Sequence, residues 1–119
     1  MPARACADRD LLRGPSGWLL WGVPIAMIVV GSSWMAARDW LWALGMGVMG
    51  AACLVNARRC GRRHCVVTGP VFLLGGSAAL LRALGLHTPP GSAILAFVVV
   101  GAALACGLEC FQGRYMRPD

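Results

Sequence analysis

Four long apolar blocks are the feature that most constrains what this chain can fold into. They cover residues 17–36, 40–57, 69–86 and 91–111. Each block is close to the ~20 residues that an α-helix needs to cross ~30 Å of hydrocarbon. Hydrophobic residues make up 58% of the chain and charged residues 13%, which excludes an ordinary water-soluble domain. The sequence therefore predicts an all-α fold, a bundle of four transmembrane helices.

The blocks leave room for one membrane domain, residues 17–111, between an N-terminal tail, 1–16, and a C-terminal tail, 112–119. We interpret the first block as a span and not as a cleaved secretory signal, because it is longer than an apolar signal region of about 7–15 residues. The longest connection between blocks has eleven residues, 58–68. Connections this short predict that neighbouring helices run antiparallel.

The orientation follows from the eleven basic residues, all of which are arginine. Nine precede the first block, lie between the second and third, or follow the fourth, whereas Arg38 and Arg82 lie on the other side. Cytoplasmic loops of membrane proteins carry the excess of basic residues. We therefore predict a multi-pass protein of the bacterial inner membrane with both termini and the middle connection in the cytoplasm.

The middle connection is the most basic stretch of the chain. Four of its arginines could bind lipid headgroups or pair with an acidic side chain, and they are Arg58, Arg59, Arg62 and Arg63. Anionic headgroups attract such clusters. Nucleic-acid binding is not predicted, because the tryptophans lie near the ends of the apolar blocks as interfacial anchors and are not interleaved with the arginines.

The cysteines lie at or near the predicted cytoplasmic face. They are Cys6, Cys53, Cys60, Cys65, Cys106 and Cys110. Because the cytoplasm keeps thiols reduced, metal binding or redox exchange is favoured over a disulfide framework. A packing role stays open for Cys53 and Cys106, since buried cysteine can serve as a small apolar residue.

Two groups of candidate ligands should meet at one depth. Cys106, Glu109 and Cys110 stand at i, i+3 and i+4 and share a helix face. Glu109 is the acidic residue inside the fourth block, so it should face the bundle interior and either a metal ion or an arginine. His64 and Cys65 lie side by side in the middle connection. The predicted metal ligands are Cys53, Cys60, His64, Cys65, Cys106, Glu109 and Cys110.

The ligand types predict a soft ion. Thiolates select Cu(I), Zn(II) and, by the same softness, Hg(II). The Cys-x4-Cys spacing of Cys60 and Cys65 differs from the Cys-x2-Cys spacing of structural zinc sites. No motif implies an organic cofactor.

The segment CLVNARRCGRRHCVVTGP, residues 53–70, resembles the core of a group of small bacterial membrane proteins that carry Cys-Gly-Arg-x-His-Cys followed by Thr-Gly-Pro. In size, topology and cytoplasmic cysteines the chain is also similar to the small mercuric-ion transport proteins, which pass Hg(II) between cysteine pairs. Those proteins carry a cysteine pair in the first span, and the first block here contains none. The second resemblance implies binding or transport of a soft ion, with release to a cytoplasmic metal acceptor.

Two other classes of function stay open. A membrane thiol oxidoreductase also combines a small helical bundle with reactive cysteines, but such enzymes use Cys-x2-Cys pairs that face an oxidising compartment. A non-catalytic membrane subunit, alone or as a homo-oligomer, would use the arginines of the middle connection to hold lipid headgroups. We favour metal binding without catalysis, because the predicted cytoplasmic side is a reducing compartment.

Overall fold

The computed structural model describes residues 8–86, 88–113 and 115. This part of the chain forms helices and no strand. We number the four long helices α1 (Gly14–Ser33), α2 (Arg38–Cys60), α3 (Arg63–Ala83) and α4 (Gly91–Gln112). Each is long and apolar enough to cross a membrane, which confirms the predicted all-α fold with four candidate spans. Cys6 and most of the predicted C-terminal tail lie outside the described residues.

Neighbouring helices run antiparallel, as the short connections require. Leu54 of α2 lies against Gly69 of α3, and Gly47 of α2 lies against Gly76 of α3, so residue numbers rise along one helix and fall along the other. The same relation holds between α1 and α2 and between α3 and α4. A Cβ atom at Gly69 would stand 2.7 Å from a Leu54 methyl carbon. Glycine at this position therefore lets the α2 and α3 backbones approach closely.

The helices α2 and α3 form the centre of the bundle. Of the most apolar stretch of each helix, 44% is buried in α2 and α3 but only 17% in α1 and α4. The core consists of Trp42, Met46, Met49, Phe72, Ala79, Ile94 and Val98. Within the described residues the backbone of α1 packs on that of α2 and the backbone of α4 on that of α3, and no Cα atom of α1 lies within 8 Å of one of α4. The two outer helices thus keep wide apolar faces for lipid.

The first helix changes its winding near its middle. Residues Trp18–Gly22 are π-helical, and the α-helical course resumes at Val23. Pro24 has no N–H to donate to the preceding turn, so the backbone around this point lacks one helical hydrogen bond. A π-helical segment shifts the side chains around the helix axis. This segment carries Trp21, whose ring reaches α3.

The connection between α2 and α3 is much shorter than the predicted eleven residues. It consists of Gly61 and Arg62, because α3 begins at Arg63 and not near Gly69. Gly61 takes a left-handed conformation with φ of +62°, which suits glycine and lets the chain reverse. Pro70 lies inside α3. The prediction took Gly69 and Pro70 for a helix start, but membrane helices tolerate an internal proline when neighbouring groups satisfy the backbone.

Of the predicted N-terminal tail, residues 14–16 belong to α1, and the described residues before it, 8–13, pack onto the bundle. Asp10 is only 4% exposed, and the backbone N–H of Arg13 donates to the carbonyl of Asp10 over 3.1 Å. The side-chain hydroxyl of Ser16 donates to the carbonyl of Leu11 over 3.0 Å. These bonds fold the segment on itself, and bonds to Asn56 of α2 and to Arg62 in the α2–α3 turn hold it against that end of the bundle.

Candidate metal centre

Two cysteines and a histidine meet at the end of the bundle where α2 passes into α3. The Sγ atoms of Cys53 and Cys65 and a ring nitrogen of His64 all lie within 4.8 Å of one another. The Cys65 Sγ is 3.4 Å from the His64 Nε2. All three residues are buried, and both cysteines are fully inaccessible to water. We call these three residues the Cys2His group.

The local fold explains why these residues converge. Cys53 lies two turns before the end of α2, while His64 and Cys65 are the second and third residues of α3. The two-residue turn at Gly61 and Arg62 brings these parts of the antiparallel helices together. The hydroxyl of Thr68 donates to the His64 carbonyl over 2.8 Å and contacts the Cys53 sulfur at 3.5 Å. Thr68 therefore joins both helices beside the two thiols.

The carboxylate of Glu109 fixes the orientation of the His64 ring. Its Oε1 lies 2.6 Å from the His64 Nδ1. An ionised carboxylate can only accept a hydrogen bond, so Nδ1 carries the proton and donates. In a neutral imidazole this leaves the Nε2 lone pair directed at Cys65. A carboxylate that orients a histidine through its far nitrogen is the usual arrangement behind a metal-binding histidine.

The side chain of Asn56 connects the Cys2His group to the N-terminal segment. Its Nδ2 lies 3.7 Å from the Cys65 sulfur and donates to the Asp10 Oδ1 over 2.8 Å. Its Oδ1 accepts from the Leu11 backbone N–H over 3.1 Å. Asn56 is fully buried. Both ends of this amide are therefore paired, which offsets the cost of burying it.

The guanidinium of Arg62 lies between the two carboxylates. Its Nε donates to the Glu109 Oε1 over 3.1 Å, and an Nη atom donates to the Asp10 Oδ2 over 2.5 Å. Burial lowers the pKa of Arg62, but the hydrogen bonds and charges of Glu109 and Asp10 outweigh it and raise the pKa above its ordinary value. Arg62 is therefore charged at any physiological pH.

The carboxyl group of Asp10 is also held in its charged form. Burial raises its pKa, but hydrogen bonds from the Leu12 backbone and the Asn56 amide, together with the Arg62 charge, hold the pKa below its ordinary value. The Asp10 side chain is completely buried and the Arg62 side chain 15% exposed. The N-terminal segment thus contributes a permanent negative charge to this end of the bundle.

An aromatic ring covers the group from the side of α1. Trp21 packs edge-on against the His64 ring with centroids 6.3 Å apart, and against Phe72 with centroids 6.0 Å apart. Its position in the π-helical segment directs it at α3. The indole covers the imidazole on the side that faces α1. All four helices and the N-terminal segment therefore contribute to the site.

One separation within the group is that of two ligands on a metal ion. Zinc-type ions bind thiolate sulfur at about 2.3 Å and imidazole nitrogen at about 2.0–2.1 Å, which separates neighbouring ligand atoms by roughly 3.5 Å. The separation of 3.4 Å between the Cys65 Sγ and the His64 Nε2 matches this value. Two thiols and one imidazole form a soft donor set. With the three ligands found among the described residues, a fourth coordination position would be open to water or to another ligand.

The predicted site residues fall into two sets in the structure. Cys53, His64 and Cys65 come together, and Glu109 joins them as the partner of His64. Cys60 is buried on the same face of α2 as Cys53 and Asn56 but lies outside the group. Cys106 and Cys110 are exposed on α4 and are not part of it.

Of the four candidate arginines, Arg62 is the one that contacts Glu109. Arg63 donates to the Gln112 side chain over 3.2 Å at the exposed end of α4. Arg58 and Arg59 are exposed in the last turn of α2. These two therefore stand where solvent or headgroups can reach them.

Four contributors to the site, Asp10, Asn56, Thr68 and Trp21, are not among the predicted site residues. Asn56 is a polar residue within the second apolar block, which is a local signal. Asp10 and Trp21 carry none. Asp10 stands among arginines in a segment without apolar periodicity, so no local pattern assigns it to the core. Trp21 looks like one of several interfacial tryptophans, and only the π-helical segment of α1 sets it against His64. No signal in the local sequence distinguishes either residue from its neighbours.

Comparison with known proteins gives no further guidance, since no family model, no curated protein and no solved structure matches this chain significantly.

Proposed function

We propose that this protein is a multi-pass protein of the bacterial inner membrane that binds a soft metal ion at the Cys2His group and exchanges it with a cytoplasmic acceptor. The candidate ions are Hg(II), Cu(I) and Zn(II). The observation that carries the proposal is the convergence of two buried thiols and one oriented imidazole within 4.8 Å. Such a group has the donor atoms that soft ions prefer.

Several features support exchange of the ion over permanent storage. Among the described residues the group offers three ligands, so a donor atom of an acceptor could take the fourth coordination position. The four candidate spans favour a membrane protein, and the group lies close to one end of the bundle. The first helix contains no cysteine, so a relay of thiols across the whole bilayer lacks an entry ligand. Binding and hand-over on one side fits these features best.

The test is metal binding by the detergent-purified protein and its serine variants. We expect one Cd²⁺ or Zn²⁺ ion per chain in the wild type, measured by elemental analysis after desalting. Cys53→Ser and Cys65→Ser should each weaken binding about 100-fold or more, because a hydroxyl replaces a thiolate. Cys106→Ser and Cys110→Ser are the matched controls and should retain binding. Equal losses in all four variants, or no binding by the wild type, would refute the site.

The orientation of the site has its own test. If the arginine distribution sets the topology, reporter fusions at residue 61 and at the C-terminus should report the cytoplasm, and a fusion at residue 88 should report the outer side. A reporter at residue 61 found outside would place the Cys2His group on the other face of the membrane. The acceptor would then have to be extracytoplasmic.

A thiol oxidoreductase is the second candidate, favoured by one observation. Cys53 and Cys65 lie on different helices with their sulfur atoms within 4.8 Å, and His64 stands beside Cys65 as a base. A disulfide between them would require the sulfur atoms to approach to about 2.05 Å. Oxidation of the two thiols by an added quinone, with no metal retained by the reduced protein, would favour this candidate over metal binding.

A further inference from the structure

Three ionised side chains are bonded to one another around the Cys2His group. Arg62 carries one positive charge, and it pairs with two negative charges, those of Asp10 and Glu109. None of these side chains is more than 15% exposed. Their sum is one net negative charge, held within one or two hydrogen bonds of the ligands through His64 and Asn56.

Three further described arginines near this end, Arg58, Arg59 and Arg63, compensate little of that charge. Arg58 and Arg59 are exposed on α2, so water screens them. Arg63 directs its guanidinium to Gln112 at the exposed end of α4. The charges that hydrogen bonds link to the ligands in the described part of the chain are those of Arg62, Asp10 and Glu109.

Adding the ligands and the ion gives the total charge of a loaded site. Two thiolates bring two further negative charges, and the imidazole brings none. A divalent ion then leaves the buried assembly with one net negative charge, whereas a monovalent ion leaves it with two. Uncompensated charge is costly where water is excluded, and the cost rises steeply with the amount of charge.

We propose that the Cys2His group takes a divalent soft ion in preference to a monovalent one, and that the Asp10–Arg62–Glu109 cluster sets this preference. This inference rests on the proposed metal-binding function. Asp10 and Arg62 touch no ligand atom, so they act through charge and not through coordination. The ratio of affinities for two ions isolates the effect, because both ions bind the same metal-free protein and its energy cancels.

The first experiment measures this ratio for Cd²⁺ and Ag⁺, two soft ions of different charge. Ag⁺ is titrated into the Cd²⁺-loaded protein while the cadmium–thiolate absorption is followed. The same titration on a flexible peptide with two cysteines and one histidine, but no other charged side chain, gives the reference. We expect the protein to favour Cd²⁺ over Ag⁺ by about ten times more than the peptide does.

The second experiment changes the fixed charge. Asp10→Asn removes a negative charge and should shift the Cd²⁺/Ag⁺ ratio about tenfold toward Ag⁺, whereas Arg62→Gln should shift it by a similar factor toward Cd²⁺. Asp39→Asn is the control, because Asp39 pairs with Arg38 and Arg82 at the opposite end of the bundle. Its ratio should equal that of the wild type.

The outcomes separate the two proposals. Absence of Cd²⁺ binding in the wild type removes the metal site and this inference with it. Normal binding with a ratio equal to that of the peptide leaves the metal site and overturns only the charge preference. The charge preference is also overturned if Asp10→Asn and Arg62→Gln leave the Cd²⁺/Ag⁺ affinity ratio unchanged while their helix content equals that of the wild type. If both variants misfold, the comparison of wild type with peptide still decides whether the group prefers the divalent ion.

Discussion

The bundle carries an ion-pair network at each end, and the two networks differ in how far water reaches them. At one end Arg62 joins Asp10 to Glu109, and these side chains are at most 15% exposed. At the other end Arg82 and Arg38 both contact Asp39, over 3.3 and 3.7 Å, with side chains 22–23% exposed. Both networks connect elements that are distant in sequence.

The two networks should therefore do different work. Water reaches the partly exposed Asp39 network more than the other one, and ion pairs near the surface contribute about 0–1 kcal/mol each. It joins α2 to α3, and Arg38 adds a cation–π contact with Trp42 at 5.6 Å. The Asp10–Arg62–Glu109 cluster lies in a poorly hydrated region, where a charge acts over longer distances. Its charges therefore reach the neighbouring thiols and imidazole.

The largest difference should follow from removing the central arginine of each network. Arg62→Met leaves two buried carboxylates without their partner and should cost about 3–5 kcal/mol of unfolding free energy. Arg82→Met should cost about 0–1 kcal/mol. Denaturation of both variants in the same detergent measures the difference. Equal losses would show that the two ends do not differ in effective burial.

A second prediction concerns the carboxylate that orients the histidine. Glu109→Gln should lower the affinity for Cd²⁺ about 10–100-fold, because a neutral amide holds the His64 Nδ1–H more weakly. It should also cost stability through the lost pair with Arg62. Gln112→Ala, which removes the partner of Arg63 one turn away on α4, is the control. A variant that loses stability but keeps its affinity would limit Glu109 to the ion pair.

The Asp10 carboxyl predicts how stability depends on pH. Its pKa is lower in the folded protein than its ordinary value, so its contribution is complete above about pH 4. The contribution disappears as the pH falls through the lowered folded value. Asp10→Asn should therefore be less stable than the wild type by about 1–3 kcal/mol at pH 7, and the gap should close in acid.

Unfolding of both proteins between about pH 7 and pH 2 measures this gap. Trypsin offers a second readout: the Arg13 side chain is already exposed, and loss of the Asp10 bonds should free the backbone of residues 8–13 to enter the protease. A constant gap at all pH values would assign the effect to packing and not to the charge of Asp10.

The smallest effect is expected at the solvent-exposed end. Asp39→Asn should destabilise the protein by about 0–1 kcal/mol at low salt, and the loss should shrink toward zero in about 1 M salt. The wild-type preference between metal ions should be unaffected. A loss of several kcal/mol that salt does not reduce would place Asp39 in the same buried class as Asp10.

Much of the architecture can be predicted because it depends on composition summed over long segments. In lipid a block of some twenty apolar residues forms a helix, because a helix satisfies all hydrogen bonds of its backbone within the segment. This predicts four spans without knowledge of any contact. Their limits are less predictable, since Thr68-Gly69-Pro70 has the local features of a helix start and yet lies inside α3. The cooperativity of helix formation in α3 outweighs the local preference of these three residues for a helix start.

The sequence determines which ligand types the chain carries, but not which of them form the site. Residue type alone determines that the chain carries soft ligands near one end of its spans. Which of them meet depends on how the helices pack: the turn at Gly61 sets Cys65 against Cys53, and α4 directs Glu109 to His64 while Cys106 and Cys110 stay exposed. Helical periodicity assigns a residue to a face of its helix, but the residue that it contacts can lie far away in the sequence. Arg62 and Asp10, for example, are 52 positions apart. Such pairings are decided by close packing of helices and by the need to neutralise buried charge, and both are properties of the tertiary structure.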